Sequence, residues 1–216
     1  MTPENPGGDD REDQPLSLFI RWVRSGLEVY GEWARNDHSW NFRDFFIQPE
    51  HSHGYVLGLR KATLLNERRL LALGAELINL QRGRTADLRA TPPFYSHHIV
   101  RQGYTNQGQI IGSNVGPGGN AQVITTELYD SWGRARLLLE RRIHDNDAYF
   151  EFAATHDLDS CCHHVGLTAG FDALVFTGPF DVGGGATLTR ELNRYFVRGN
   201  DVWNLNLRLS ARWRPR

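Results

Sequence analysis

The sequence predicts an all-β protein: an antiparallel transmembrane β-barrel segment of about nine or ten strands, part of a larger barrel. Three observations point there. The 216-residue chain is rich in glycine (22) and aromatics (11%) and holds one methionine, a turn-rich β composition rather than a helical one. Its best-patterned segments alternate apolar and polar side chains with period two. They also run to ten residues or more, against a usual ~5–6 for strands.

The elements follow in order. Residues 1–14 carry Pro, Gly and acidic side chains and read as a flexible acidic leader or loop. Residues 15–216 form the barrel segment, with no linker and no internal repeat. Residues 16–23 give a weak strand signal. Leu27, Val29, Gly31 and Trp33 then alternate with Glu28, Tyr30, Glu32 and Ala34. Residues 53–62 are again weak. Residues 66–80 are ambiguous. A helix would align Leu70, Leu73, Leu77 and Leu80 behind an Asn66 cap, whereas a strand would oppose Leu71, Leu73, Ala75 and Leu77 to Glu76. The pattern alone leans to helix.

Residues 121–130 form a weak candidate. Ala135, Leu137 and Leu139 alternate with Arg134, Arg136, Leu138 and Glu140. Val165, Leu167, Ala169, Phe171, Ala173 and Val175 alternate with His164, Gly166, Thr168, Gly170, Asp172 and Leu174. After a weak stretch at 185–197 comes the clearest segment. Trp203, Leu205, Leu207, Leu209, Ala211 and Trp213 oppose Asn204, Asn206, Arg208, Ser210 and Arg212. The two tryptophans stand about 33 Å apart along a strand. At ~45° tilt this covers roughly 24 Å, close to the ~25 Å apolar band and aromatic girdles of an outer-membrane barrel. A soluble antiparallel sandwich or barrel alternates too, so this pattern alone leaves both open. The barrel reading places Glu28, Glu32, Arg60, Glu76, Glu140 and Arg142 in a mixed-charge lumen network.

Charge excludes one class of partner. There are 24 basic and 25 acidic residues, without the basic excess of a nucleic-acid binder. Two adjacent cysteines, Cys161 and Cys162, supply neither a disulfide framework nor a structural zinc site. No signal peptide opens this chain, and no apolar run approaches the ~20 residues of a spanning helix.

Catalytic and cofactor motifs are lacking: there is no GxSxG elbow, P-loop or dinucleotide fingerprint. In Cys161-Cys162-His163-His164 alternate side chains would point apart, so four neighbours cannot surround one ion. His51 and His53 would share a strand face. Without a third placed ligand they read as polar lining, and no metal or cofactor is expected. A carboxylate pair for glycan hydrolysis stays open, because its partners can come from different strands.

Glycan recognition needs aromatic faces and dense hydrogen-bonding groups. The stretch Tyr95–Asn120 is rich in both, offering Tyr95, His97, Arg101, Tyr104, Asn106, Gln107, Gln109 and Asn120. The turn around His51 and His53 joins it as a candidate polysaccharide-binding surface. A polar loop with turn glycines is the competing reading.

The same stretch carries a resemblance. Tyr95-Ser96-His97, then Gly103-Tyr104-Thr105-Asn106-Gln107-Gly108-Gln109-Ile110-Ile111-Gly112, then Gly116-Pro117-Gly118-Gly119-Asn120 resemble the capsule assembly protein Wzi family. Upstream, Glu32-Trp33-Ala34, Pro49-Glu50-His51-Ser52-His53-Gly54-Tyr55 and Gly74-Ala75-Glu76-Leu77 fit in order. The resemblance spans about residues 27–145. It implies a many-stranded outer-membrane barrel at the cell surface that binds and organises capsular polysaccharide or exopolysaccharide as a lectin, not an enzyme. It also resolves residues 66–80 to a strand with Glu76 inward.

A family member is about twice this long, so the chain is expected to be a C-terminal portion. The expected partners are capsular polysaccharide and outer-membrane lipid, with no nucleic acid, and the expected state is a monomer. Two alternatives remain: a β-barrel enzyme hydrolysing glycan or lipid, and a passive porin-like channel.

Overall fold

The computed structural model describes residues 15–36, 41–87, 89, 91–96, 103–156 and 162–214. The leader 1–14 lies outside the described residues. The strands are β1 (Leu16–Arg24), β2 (Leu27–Arg35), β3 (His53–Leu64), β4 (Leu70–Asn79), β5 (Thr105–Asn106), β6 (Gln109–Ile110), β7 (Asn120–Asp130), β8 (Gly133–Ile143), β9 (Val165–Thr177), β10 (Phe180–Leu192) and β11 (Val202–Trp213). Two short helices join them, α1 (Phe42–Ile47) and α2 (Asn146–His156).

Nine strands form one antiparallel sheet in the order β1-β2-β3-β4-β7-β8-β9-β10-β11, while β5 and β6 make a separate small hairpin. β1 and β11 are its two edges, and they do not pair with each other. Residues 70–79 are the strand β4, with Leu71, Leu73, Ala75 and Leu77 opposite Glu76. The helical leaning of the pattern is thereby corrected. Asn66, the candidate helix cap, instead accepts from the backbone N–H of Arg68 and Arg69 (both 2.9 Å) in the turn before β4. The strand reading of residues 185–197 shifts to 180–192.

The register gives the sheet two chemically distinct faces. Residues directly opposite across an antiparallel pair share a face. The pairs Trp22↔Val29, Val29↔Leu59, Leu59↔Ala75, Ala75↔Ile124, Ile124↔Leu139, Leu139↔Ala169, Ala169↔Leu188 and Leu188↔Leu205 run across all nine strands on one face. That face is apolar, and it stays uncovered: Leu207 is 69% exposed and Leu209 90%. A β-sandwich would cover it with a second sheet, but the only other sheet among the described residues is the two-stranded β5–β6 hairpin. Aromatic residues stand at both ends of this face. Trp33, Tyr55 and Trp203 are at one end, and Trp22, Phe180 and Trp213 at the other.

The opposite face is polar and internally paired. Arg134 meets Asp172 on the neighbouring strand at 2.6 Å, and Arg21 meets Glu28 at 2.6 Å. Tyr30 on β2 reaches across Gly58 on β3 to donate its hydroxyl to Glu76 on β4. A Cβ on Gly58 would collide with the Tyr30 ring at 1.9 Å. Arg60 on β3 likewise reaches Glu127 on β7, 3.8 Å away. Strands lie ~4.8 Å apart, so each of these contacts spans two strand spacings.

The two ends differ as well. Tight turns at Ser25-Gly26, Ser131-Trp132 and Gly178-Pro179 close one end, and a short turn at 65–69 joins β3 to β4 there. Every longer connection, with both helices and the hairpin, lies at the other. The described core sits at this loop end, where Ile78, Leu80, Phe94, Val115 and Ala121 cluster with Ala34, Val56 and Tyr95 against them.

Candidate functional site

On the polar face at the loop end, a cavity of about 560 Å³ lies between β1–β4 and the long β4–β7 connection. Its floor is the sheet: Glu32 and Ala34 from β2, Val56 from β3, Glu76 and Ile78 from β4. Its wall is loop, with Phe94, Tyr95, Tyr104, Ile111, Ser113 and Asn114.

Asn36, just past β2, holds the wall. Its Nδ2 donates to the Pro93 carbonyl (3.0 Å), and its Oδ1 accepts from the Tyr95 N–H (3.2 Å). Tyr95 sits in the left-handed region at φ +67°, a cost of order 1–3 kcal/mol that the surrounding contacts must offset. Its hydroxyl accepts from the Ser113 N–H at 2.9 Å. Gly112 makes the room: a Cβ there would stand 2.5 Å from the Tyr95 ring. Burial pushes the Tyr95 phenol above its usual range. The Ser113 N–H opposes that shift, and the nearby charge of Glu32 adds to it.

The Tyr95 and Tyr104 rings lie nearly parallel, 6.3 Å apart at 23°. Tyr104 is 45% exposed and presents a ring to solvent. The hairpin β5–β6 follows, carrying exposed Asn106, Gln107 and Gln109. Wall, hairpin and floor together offer aromatic faces, amide groups and the Glu32 and Glu76 carboxylates, a set able to stack on a sugar ring and bond its hydroxyls.

Other sequence candidates are placed apart from it. His97 and Arg101 lie outside the described residues. Asn120 opens β7 on the apolar-face register, opposite Asn79 and Ile143, and accepts from Gln122 Nε2 at 3.3 Å. His51 precedes β3 rather than sharing a strand with His53, and it is buried. His53 bonds the Glu50 carbonyl through Nδ1 and stacks near Tyr55. It lines a second groove of about 590 Å³ on the apolar side, with Leu18, Ile20, Trp33 and Leu57. The polysaccharide candidates therefore do not form one surface: Tyr95 and Tyr104 share the cavity, while Asn120 and His53 face the other way.

Glu28, Glu32, Arg60, Glu76, Glu140 and Arg142 all fall on the polar face. Arg142 pairs with Glu140 on its own strand (Nε to Oε1, 2.6 Å) and donates to the Asn114 carbonyl at 3.2 Å, tying β8 to the cavity wall.

Across the sheet, α2 is fixed by Asp147. This buried carboxylate accepts from the Arg82 N–H at 3.0 Å and pairs with the Arg82 guanidinium at 3.4 Å. Burial raises its pKa against the pull of Arg82. In the histidine run, alternate side chains do point apart. His163 bonds Asn146 Oδ1 at 2.7 Å and packs on Tyr149, while His164 turns to Glu191. Cys162 is disulfide-bonded and so is not a free thiolate ligand.

Sequence reasoning did not bring His164 together with His144 and Glu191. Their Nε2 atoms lie 3.0 and 3.3 Å from Glu191 Oε2. Burial, then the neighbouring His164, lowers the pKa of His144. The usable signal was the β8–β9 register: Ile143↔Val165 sets His144 beside His164. Comparison with protein-family models, with curated proteins and with solved structures finds no match for this chain.

Proposed function

We propose that the chain is a non-catalytic, lectin-like part of an outer-membrane β-barrel that binds and organises capsular polysaccharide at the cell surface. The membrane part is carried by one observation, the continuous uncovered apolar face with aromatic residues at both ends. Monomeric soluble proteins rarely expose apolar patches beyond a few hundred Å², whereas a lipid-facing barrel wall requires one flanked by aromatic girdles. Short turns at one end and long connections at the other match the periplasmic and extracellular ends of such barrels. The cavity then opens on the extracellular side. In lipid an unpaired strand edge costs several kcal/mol per backbone group, so β1 and β11 need partners there, supplied by the rest of a larger barrel.

The glycan part is supported by the Tyr95–Tyr104 wall facing Glu32 and Glu76, together with the resemblance of this stretch to the capsule assembly family. The test compares wild type with Tyr104→Ala and Glu32→Gln, both chosen to spare the buried core. Each variant should insert into the outer membrane normally, bind purified capsular polysaccharide at least about tenfold more weakly (~1.4 kcal/mol) and retain less surface capsule. Normal insertion with unchanged glycan binding in both variants would reject the cavity as the binding site. Turnover of labelled glycan, abolished by Glu32→Gln, would make the protein a hydrolase instead.

A further inference from the structure

We infer that His144, His164 and Glu191 form a binding site for a divalent transition-metal ion of the zinc class, on the polar face at the loop-end rim of β8, β9 and β10. His144 directly follows β8, His164 directly precedes β9, and Glu191 lies near the end of β10. Three strand ends thus deliver one donor each, and the donor atoms all fall within 4.8 Å of one another.

The spacing suits such an ion. Metal–ligand bonds of ~2.0–2.2 Å at tetrahedral angles put donors about 3.3 Å apart. Glu191 Oε2 lies 3.3 Å from His144 Nε2 and 3.0 Å from His164 Nε2. The two imidazoles stack 4.1 Å apart at 21° and turn the same nitrogen to the same Glu191 oxygen, so all three donors converge on one point. Two histidines and a carboxylate are a common donor set for zinc and iron(II), and three protein ligands leave a position for water or another oxygen ligand.

The surroundings are built to hold the donors. The His144 N–H donates to the His164 carbonyl at 3.0 Å, fixing the two backbones. Residue 166, directly across from Glu191, is glycine. A Cβ there would stand 3.0 Å from Glu191 Oε2 and 3.3 Å from His144 Nε2, crowding the space between the donors. Asn193, Tyr195 and Phe196, just beyond Glu191, all adopt positive φ (50°, 59° and 63°). Such strain persists where the surrounding structure enforces it.

The test uses the tag-free complete barrel, folded in detergent after chelator treatment and titrated with Zn²⁺ alone. Wild type should bind about one equivalent with low-micromolar or tighter affinity. His144→Ala and Glu191→Gln should each weaken binding at least about a hundredfold, beyond the ~10–100-fold typical of losing an outer-shell partner. Gly166→Ala should weaken it by a smaller factor. His163→Ala, whose ring points to Asn146, should leave it within about threefold. Zinc X-ray absorption on the wild type needs no variant to fold and should show two imidazoles with oxygen and no sulfur. Absence of stoichiometric binding overturns the site. So does binding indifferent to His144→Ala and Glu191→Gln in folded protein, or a sulfur-containing shell.

Discussion

Leu207 and Arg208 are neighbours on β11 and stand on opposite faces of the sheet, and the two faces solve the problem of partners differently. On the face that carries Arg208 the polar side chains pair among themselves: Arg134 with Asp172, Tyr30 with Glu76, Thr168 with Thr189 at 3.0 Å. Around Leu207 the apolar face has no covering layer among the described residues, from Trp22 on β1 to Trp213 on β11. One face carries its own complement, and the other needs an apolar medium from outside. A soluble β protein inverts this arrangement, with apolar side chains packed inward and polar ones in water.

The largest expected effect comes from exchanging the chemistry of the two faces. Leu207→Arg should cost roughly 2–4 kcal/mol near mid-membrane. Arg208→Leu should stay within about 1 kcal/mol. Urea titration of the complete barrel folding into lipid vesicles reads both. Equal costs would erase the difference between the faces.

The cavity wall ranks next. Gly112→Ala drives a methyl into the Tyr95 ring and should cost about 1–3 kcal/mol by overpacking. Tyr95→Phe leaves the Ser113 N–H without its acceptor and should cost a similar ~1–3 kcal/mol if water cannot replace it. Thermal melts of both, with glycan titration beside them, separate damage to the wall from loss of binding.

A smaller effect tests the polar face. The pair Arg134–Asp172 is half-buried, and a double-mutant cycle to Gln and Asn should give a coupling of up to about 1 kcal/mol. No coupling would mean that this face behaves as open solvent.

The smallest effect depends on pH. In the β10–β11 connection, the Asn193 N–H and Arg190 hold the Asp201 carboxyl below its usual range. Its folded pKa is therefore lower than its unfolded one. The stabilisation is present above the unfolded pKa of ~3.9 and is lost as pH falls through the folded value. Hydrogen exchange at the Asn193 amide, corrected for intrinsic rate, should quicken as the medium is acidified through that window. Asp201→Asn should remove the dependence.

Period-two patterning made the strands readable because side chains on a strand alternate whether the apolar partner is protein or lipid. β2, β8, β9 and β11 were legible this way. β4 was not, because Leu70, Leu71, Leu73, Leu77 and Leu80 satisfy helical and extended spacing alike, and its pairing between β3 and β7 decides it. The helices were missed. α1 has six residues, and α2 mixes Tyr149, Phe150 and Phe152 with polar neighbours without a clean face.

In the site, composition flagged Tyr95 and Tyr104 but not Asn36, whose role exists only through its contacts with Pro93 and Tyr95. Asn120 and His53 lie apart from that wall, because residue type does not reveal which face a strand's first residue takes. His144, His164 and Glu191 share no local motif, since only strand register unites them.

The central claim is that the apolar face meets lipid while the polar face meets water or glycan. The most direct measurement places a spin label at position 207 or 208 in the complete barrel reconstituted into vesicles and compares collision with oxygen and with a water-soluble nickel chelate. The account predicts that the label at Leu207 meets oxygen and is shielded from nickel, and that the label at Arg208 shows the reverse. Equal nickel access at both positions would contradict it.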